Sequence, residues 1–311
     1  MPIRIPHDLP AYSTLQSENI FVMSSERAEH QDIRPLKIIV LNLMPKKIET
    51  ETQIMRLLSN TPLQVDVELM HVASHVSKNT PKTHLSTFYT TFEEVKNNFY
   101  DGMIITGAPV ELLDYTQVDY WEELCTIMTW SLSHVYSTMH ICWAAQASLA
   151  YHFNIPKYRL DRKAFGIFPH HVEKESSILL SGFDDTFYIP HSRNTEIRRE
   201  DIEKNPDLEI IASSDISGTG IIANRNGRQY FILGHPEYDR YTLDSEYKRD
   251  LAKGIDIDMP YNYYTNNDVN EKPEFKWRGH ANLMFSNWLN YCVYQRTPYN
   301  LTELTDDYRS I

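Results

Sequence analysis

Thr138-Met139-His140-Ile141-Cys142-Trp143-Ala144-Ala145-Gln146-Ala147-Ser148-Leu149 passes from an apolar run, through one cysteine, into residues with helical spacing. The pattern predicts a short strand over 138–141, a turn at Cys142 and a helix over 143–153. A cysteine in an apolar stretch is ordinarily a small core residue. At the start of a helix the balance changes, because the first turn presents unpaired N–H groups and a partial positive charge that favour a thiolate. The amide of Trp143, just after the sulfur, is placed to donate to an oxyanion. A second apolar run ends in Gly234-His235-Pro236-Glu237. Pro236 restricts His235 to extended geometry, where residues two apart point the same way, so Glu237 is expected to orient the imidazole. A thiol, an imidazole and an orienting carboxylate form the set that covalent acyl transfer needs.

Working outward, residues 37–44 and 65–72 read as buried strands and 49–59 as a helix. Residues 91–99 read as helical, 101–107 as a strand ending in a tight turn, and 120–133 as a long helix. This alternation predicts an α/β fold with a doubly wound, mostly parallel sheet flanked by helices. Ligands in such sheets bind beyond the carboxyl ends of the strands, and Gly107, Cys142 and Gly234 all follow apparent strands. From about residue 165 the pattern turns β-rich, with a hairpin turn at 224–228, a returning strand over 229–233 and a helix over 240–254. Residues 256–275 form a polar loop long enough for a lid or an oligomer contact. Residues 279–293 have apolar helical spacing, with Phe285, Trp288, Leu289 and Tyr291 as a stripe for packing within the subunit, the commoner case, or across a dimer. The expected organisation is an irregular N-terminal arm over 1–34 packed on the domain, a single α/β domain over 35–300, and a tail over 301–311.

The chain has 311 residues, enough for a full core, and a net charge of -12 with no basic block, which argues against general nucleic-acid binding. Its three cysteines, Cys125, Cys142 and Cys292, have no metal spacing and no disulfide framework. Cys125 and Cys292 fall in helical patterns and are expected in the core. The N-terminus lacks the apolar centre of a signal peptide, and no stretch approaches the ~18 apolar residues of a membrane span. A soluble protein of the reducing cytoplasm is expected, where a thiol stays usable.

Cys142 with Gln146 four residues on, the downstream His235-Pro236-Glu237 and the α/β pattern resemble the class I glutamine amidotransferase fold. Amidotransferases usually carry glycines two residues before and two after the cysteine, where this chain has His140 and Ala144. The chain more closely resembles the homoserine O-acyltransferases of methionine biosynthesis, which share that fold and a Cys-Trp-x-x-Gln-Ala signature, here Cys142 to Ala147. The resemblance extends from Met1-Pro2-Ile3 through Leu41-Asn42-Leu43-Met44-Pro45-Lys46-Lys47 and Thr106-Gly107-Ala108-Pro109-Val110-Glu111 to the C-terminal helix.

The resemblance implies ping-pong transfer from an acyl-coenzyme A, through a Cys142 thioester, to the homoserine hydroxyl, with His235 removing its proton. It implies substrate contacts at Lys163, Ser192 and Arg249, the last clamping a carboxylate. The backbone amide of Ala108, in the Gly107 turn, is expected to be a second oxyanion donor beside Trp143. Glu111 decides the acyl donor. Family members with glycine there use succinyl-coenzyme A, and those with glutamate resemble acetyl users. A glutamate fills space and sets a negative charge where a succinyl carboxylate would lie. The expectation is therefore an L-homoserine O-acetyltransferase using acetyl-coenzyme A as substrate, with no cofactor and no metal, as a homodimer. The alternatives are the same chemistry with a succinyl donor or with serine as an occasional acceptor, a glutamine amidase, and a catalytically silent ligand-binding or regulatory protein on this fold.

Overall fold

In a computed structural model, which describes residues 3–6, 8–18, 22–23, 34–77 and 79–304, twelve strands form one mixed sheet. They are β1 (Ile3–Arg4), β2 (Val22–Met23), β3 (Leu36–Leu41), β4 (Val65–Met70), β5 (Tyr89–Thr90), β6 (Tyr100–Ile105), β7 (Val135–Ile141), β8 (Tyr158–Val172), β9 (Thr186–Glu196), β10 (Leu208–Ser214), β11 (Gly218–Asn224) and β12 (Gln229–Ile232). The order is β2-β1-β4-β3-β6-β7-β12-β11-β10-β8-β9, with β5 beside β4. Every pairing from β2 to β12 in that order is parallel. From β12 to β9 every pairing is antiparallel.

The parallel half is buried on both faces, as its unbroken apolar strands require. Alternate residues of β3 enter different cores: Ile38 and Val40 join Ile54, Leu58, Phe285 and Trp288, whereas Ile39 and Leu41 join Leu124, Ile127, Met128 and Trp143. The first core is roofed by the helices Lys47–Leu58 and Arg278–Asn287, and the second by Trp121–His134 and Trp143–Phe153. Phe285, Trp288 and Leu289 are buried within the subunit, and the Trp288 indole donates to Ser137 Oγ at 3.0 Å. Tyr291 is only half-buried. Cys292 is buried as expected, and Cys125 only partly.

Three expectations change. The 1–34 arm is not wholly irregular: Pro10–Ser17 is a helix begun by proline at its first position, and it buries Ala11, Tyr12 and Leu15. Residues 1–2, 7, 19–21 and 24–33 of the arm and 305–311 of the tail lie outside the described residues. The helix expected over 91–99 is one turn, Phe92–Val95, because Asn97 and Asn98 favour the turn in which the Asn98 amide donates to Val95 O at 2.8 Å. The 256–275 loop is strapped down, with Tyr261 N donating to Phe165 O at 2.9 Å, Ile167 N to Tyr261 O at 2.8 Å, and Tyr263 and Tyr264 buried. Among the described residues no helix is long and apolar enough to cross a membrane.

Two buried histidines, His140 and His170, and the half-buried His152 are held neutral. Burial pushes His140 down to about 3, and His152 and His170 to about 4. The unfolded chain binds protons at these sites from about pH 6.5 downward while the folded chain does not, so stability is full above that pH and falls as acid is added. The urea midpoint is expected to be lower at pH 5 than at pH 7.5. His140 stacks on Phe231 with ring centroids 5.0 Å apart. His140→Phe keeps an aromatic contact and removes a titrating group, so it should narrow the stability gap between the two pH values by ~2 kcal/mol.

Candidate active site

The sheet delivers its groups at the carboxyl ends of four adjacent strands: Met44 after β3, Gly107 after β6, Cys142 after β7 and His235 after β12. Cys142 stands at the junction with φ 53° and ψ -114°, a conformation costly for a residue with a side chain. Surrounding bonds hold it there. Its amide donates to Ile232 O at 2.7 Å, and its carbonyl accepts from Gln146 N at 3.2 Å. Gln146 is itself pinned to β9: Thr195 Oγ1 donates to Gln146 Oε1 at 2.8 Å, and Gln146 Nε2 donates to Thr195 O at 3.3 Å. Trp143 takes the first helical position, where an amide has no carbonyl partner within its own helix.

His235 Nδ1 pairs with Glu237 Oε1 at 2.7 Å, and both side chains are buried. The reason differs from the expected extended segment. His235 to Tyr238 is a turn, with Tyr238 N donating to His235 O at 3.2 Å and Pro236 at its second position. The imidazole also hydrogen-bonds Cys142. Burial disfavours its protonation, but the Cys142 thiolate and the Glu237 carboxylate outweigh that and carry His235 well above the usual imidazole range. Gly107 lets these groups meet, since a Cβ there would lie 3.2 Å from both Cys142 Cβ and His235 Cε1. Gly234 does the same for the approach of His235 to β9, where a Cβ would lie 2.7 Å from Pro190 O.

Cys142 and His235 open on a cavity of about 570 Å³ also lined by Ala108, Glu111, Lys163, Ser192 and Arg249. The structure thus brings the sequence-derived candidates to one place, with Glu237 lying behind His235 and Trp143 next to Cys142 in the chain. The cationic groups are not free. Arg249 donates to both oxygens of Asp250, at 2.7 and 2.9 Å, and Lys163 Nζ stands 3.7 Å from Glu246 and from Asp250. The Arg249 bond holds the Asp250 carboxyl below its usual range. Among the described residues no group of three histidine, cysteine, aspartate or glutamate side chains is arranged to hold a metal ion.

Several groups were missed in the sequence. Glu246 accepts from Ser192 Oγ at 2.5 Å and from Tyr238 OH at 2.9 Å. Its signal was its position one turn before Arg249 on one helix face. Tyr238 stacks on His235 with centroids 4.1 Å apart; burial and then the Glu246, Glu237 and Cys142 charges push its hydroxyl well above the usual phenol range. Asn194 lines the cavity two residues after Ser192, on the same face of β9. Arg193, on the opposite face, is fully buried and donates to His191 Nδ1 at 3.1 Å, to Thr195 O at 2.6 Å and to Ser217 O. Burial draws this guanidinium below its usual range, opposed by the charges of Cys142, Glu196 and Glu111. No local motif marks it. His140 faces the core rather than the cavity, so the position where amidotransferases carry glycine is filled by packing.

Solved structures with this fold include glutamine amidotransferases. One from Thermotoga maritima has a TM-score of 0.54 at 10% identity over 84% of this chain and 99% of its own. Another, from Methylobacillus flagellatus, has 0.52 at 10% identity over 86% and 99%. The fold is therefore class I glutamine amidotransferase-like. Sequence relatives are far closer. The homoserine O-acetyltransferase of Acetivibrio thermocellus is 59% identical over 304 residues, 98% of this chain and 100% of that protein. That of Clostridium novyi is 61% identical over 299 residues, 96% and 99%, and that of Bacteroides thetaiotaomicron 56% over 304 residues, 98% and 100%. A family model described as homoserine O-succinyltransferase matches residues 2–299. The chain is an acyltransferase and belongs to the homoserine O-succinyltransferase family.

Proposed function

We propose that the protein is an L-homoserine O-acetyltransferase that carries the acetyl group on Cys142 between acetyl-coenzyme A and the homoserine hydroxyl. The observation that carries this reading is Glu111 fixed in the wall of the cavity that holds Cys142 and His235. The relatives named homoserine O-acetyltransferase support the same donor, whereas the family description names succinyl transfer. A fixed glutamate supports the acetyl reading, because it takes up space and opposes a second carboxylate.

In the first half-reaction the Cys142 thiolate attacks the acetyl carbonyl, and the amides of Trp143 and Ala108 receive the oxyanion. The carbon–sulfur bond to coenzyme A breaks, and His235 protonates the departing thiolate. Acylation removes the negative charge that raised His235, so the imidazole is left neutral and able to act as a base. In the second half-reaction the homoserine hydroxyl attacks the thioester, His235 takes its proton, and the Cys142 thiolate leaves to give O-acetyl-L-homoserine for methionine biosynthesis. Glu237 holds the ring, and Tyr238 covers its face. Homoserine brings its carboxylate to Arg249 and Lys163, and its ammonium to Glu246, which Ser192 and Tyr238 orient. Every bond made or broken is served by these groups, so the scheme calls for no prosthetic group. We place the enzyme in the cytoplasm, which keeps the thiol reduced, and infer a homodimer from the family resemblance.

Mixing the protein with acetyl-coenzyme A and no acceptor should give a single acetyl adduct, lost in Cys142→Ala; intact-mass spectrometry of active protein without that adduct would overturn the thioester. Steady-state kcat/KM should favour acetyl- over succinyl-coenzyme A, and Glu111→Gly should gain succinyl transfer. A wild-type preference for the succinyl donor would refute the reading. His235 should appear twice in the pH profiles. For acetyl-coenzyme A, kcat/KM falls on the alkaline side as His235 loses its proton, well above the usual imidazole range. For homoserine, which meets the acyl-enzyme, kcat/KM falls on the acid side as the same ring gains one, at lower pH. Gly107→Ala wedges a methyl between Cys142 and His235, and should lower kcat about tenfold or more while the urea midpoint changes little.

A further inference from the structure

Glu111 lies in a segment without regular secondary structure, after the Gly107 turn, and nothing in its own backbone fixes where its carboxylate goes. Two residues from other parts of the chain do. Asn194, in β9, donates twice to the same oxygen, Glu111 Oε1: its backbone N–H at 2.9 Å and its side-chain amide at 2.6 Å. Lys157, just before β8, donates to the carbonyls of Glu111 and Leu113, each at 2.6 Å, and lies 4.4 Å from the centre of the Tyr115 ring. One clamp holds the carboxylate and the other holds the chain that bears it. A glutamate in such a loop otherwise has three rotatable bonds and a solvent-facing option, and a carboxylate free to turn aside would leave room for the longer acyl group.

We propose that Asn194 is a second determinant of acyl-donor choice, a positioning residue that works only through Glu111, with Lys157 as the support of the loop. This rests on the reading that Glu111 opposes the succinyl carboxylate. The Asn194 amide fixes one carboxylate oxygen and leaves the other to face the cavity. Donor choice then belongs to the pair of residues rather than to position 111 alone. A glutamate at 111 opposite a residue without a donating side chain would discriminate poorly, although its charge is unchanged. The second signal in the sequence is the period-two relation of Ser192 and Asn194, which sends both toward the cavity while Arg193 and Thr195 face the elbow.

The test is the ratio of kcat/KM for acetyl-coenzyme A to that for succinyl-coenzyme A, measured on the full-length enzyme with homoserine saturating. Asn194→Ala should lower this ratio about tenfold or more, the size expected for losing a hydrogen bond to a charged group. Asn194→Leu is close in size, lacks the donating amide and adds no charge, and should lower it in the same direction; it serves if the alanine variant does not fold. Lys157→Met, which keeps an unbranched apolar side chain but removes the ammonium that holds the two carbonyls, should lower it about threefold. In a Glu111→Gly background, Asn194→Ala should shift the ratio no further than about threefold, because the group it positions is gone. If Glu111→Gly alone changes the ratio and neither Asn194 variant does, the positioning role is overturned and the reading of Glu111 stands. An equal effect of Asn194→Ala with and without Glu111 also overturns it, since a general structural role predicts that. If Glu111→Gly leaves the ratio unchanged, the underlying reading fails and the inference goes with it.

Discussion

The strained backbone at Cys142 is the constraint on which the rest of the site is built. A positive φ at a non-glycine residue costs on the order of 1–3 kcal/mol, and it survives only where neighbouring contacts over-determine it. Here three elements do so: the Ile232 carbonyl of β12, the helix that begins at Trp143, and the Gln146 contact with Thr195 of β9. The bend brings Cys142 to the wall of the cavity. Relaxing the bend would return the thiol toward the core that surrounds β7. The glycine at 107 and the turn at 236 are then needed so that the imidazole can reach a sulfur in that position.

The strand β9 does two jobs by alternation. One face carries Ser192 and Asn194 into the cavity, where they hold Glu246 and Glu111. The other carries His191, Arg193 and Thr195 beneath the elbow. Arg193 is a buried cation whose donors go to carbonyls and to an imidazole rather than to a carboxylate, so its charge is not locally cancelled. It acts at a distance on Cys142, in a medium where screening is weak. His191 stays neutral beside it because burial and that same cation disfavour its protonation. The carboxylates of the cavity wall are thus arranged by one face of a strand, and the field under Cys142 by the other.

How much of this was legible follows from what each feature depends on. The β7 strand, the elbow and the Trp143–Phe153 helix came directly from local pattern, because an apolar run followed by small residues at helical spacing has one reading. The pairing of His235 with Glu237 was also legible, although the sequence pointed to an extended segment where the chain makes a turn; both bring the side chains together. The Pro10–Ser17 helix was hidden by its polar surroundings, since its buried face is only three residues wide. Asn194 and Lys157 were not legible at all. Their roles exist only where β8, β9 and the 107–115 segment meet, and that meeting is a tertiary fact. Arg249 was found by resemblance, but its pairing with Asp250 was not, because adjacent residues on a helix rarely face one another.

The order of strands has a consequence for how the enzyme comes into being. β7 leads into Cys142, yet one of its two sheet neighbours is β12, which is made long after it. Until β12 arrives, the elbow lacks the Ile232 carbonyl and the thiol has no imidazole. A nascent or truncated chain that ends near residue 228 therefore holds a cysteine that is chemically ordinary. Pairing of strands so distant in sequence is slow, since a long loop must close before contacts repay it. The geometry around Cys142 is thus a property of the completed chain, and on the proposed reaction a partly synthesised copy has no means of consuming thioesters.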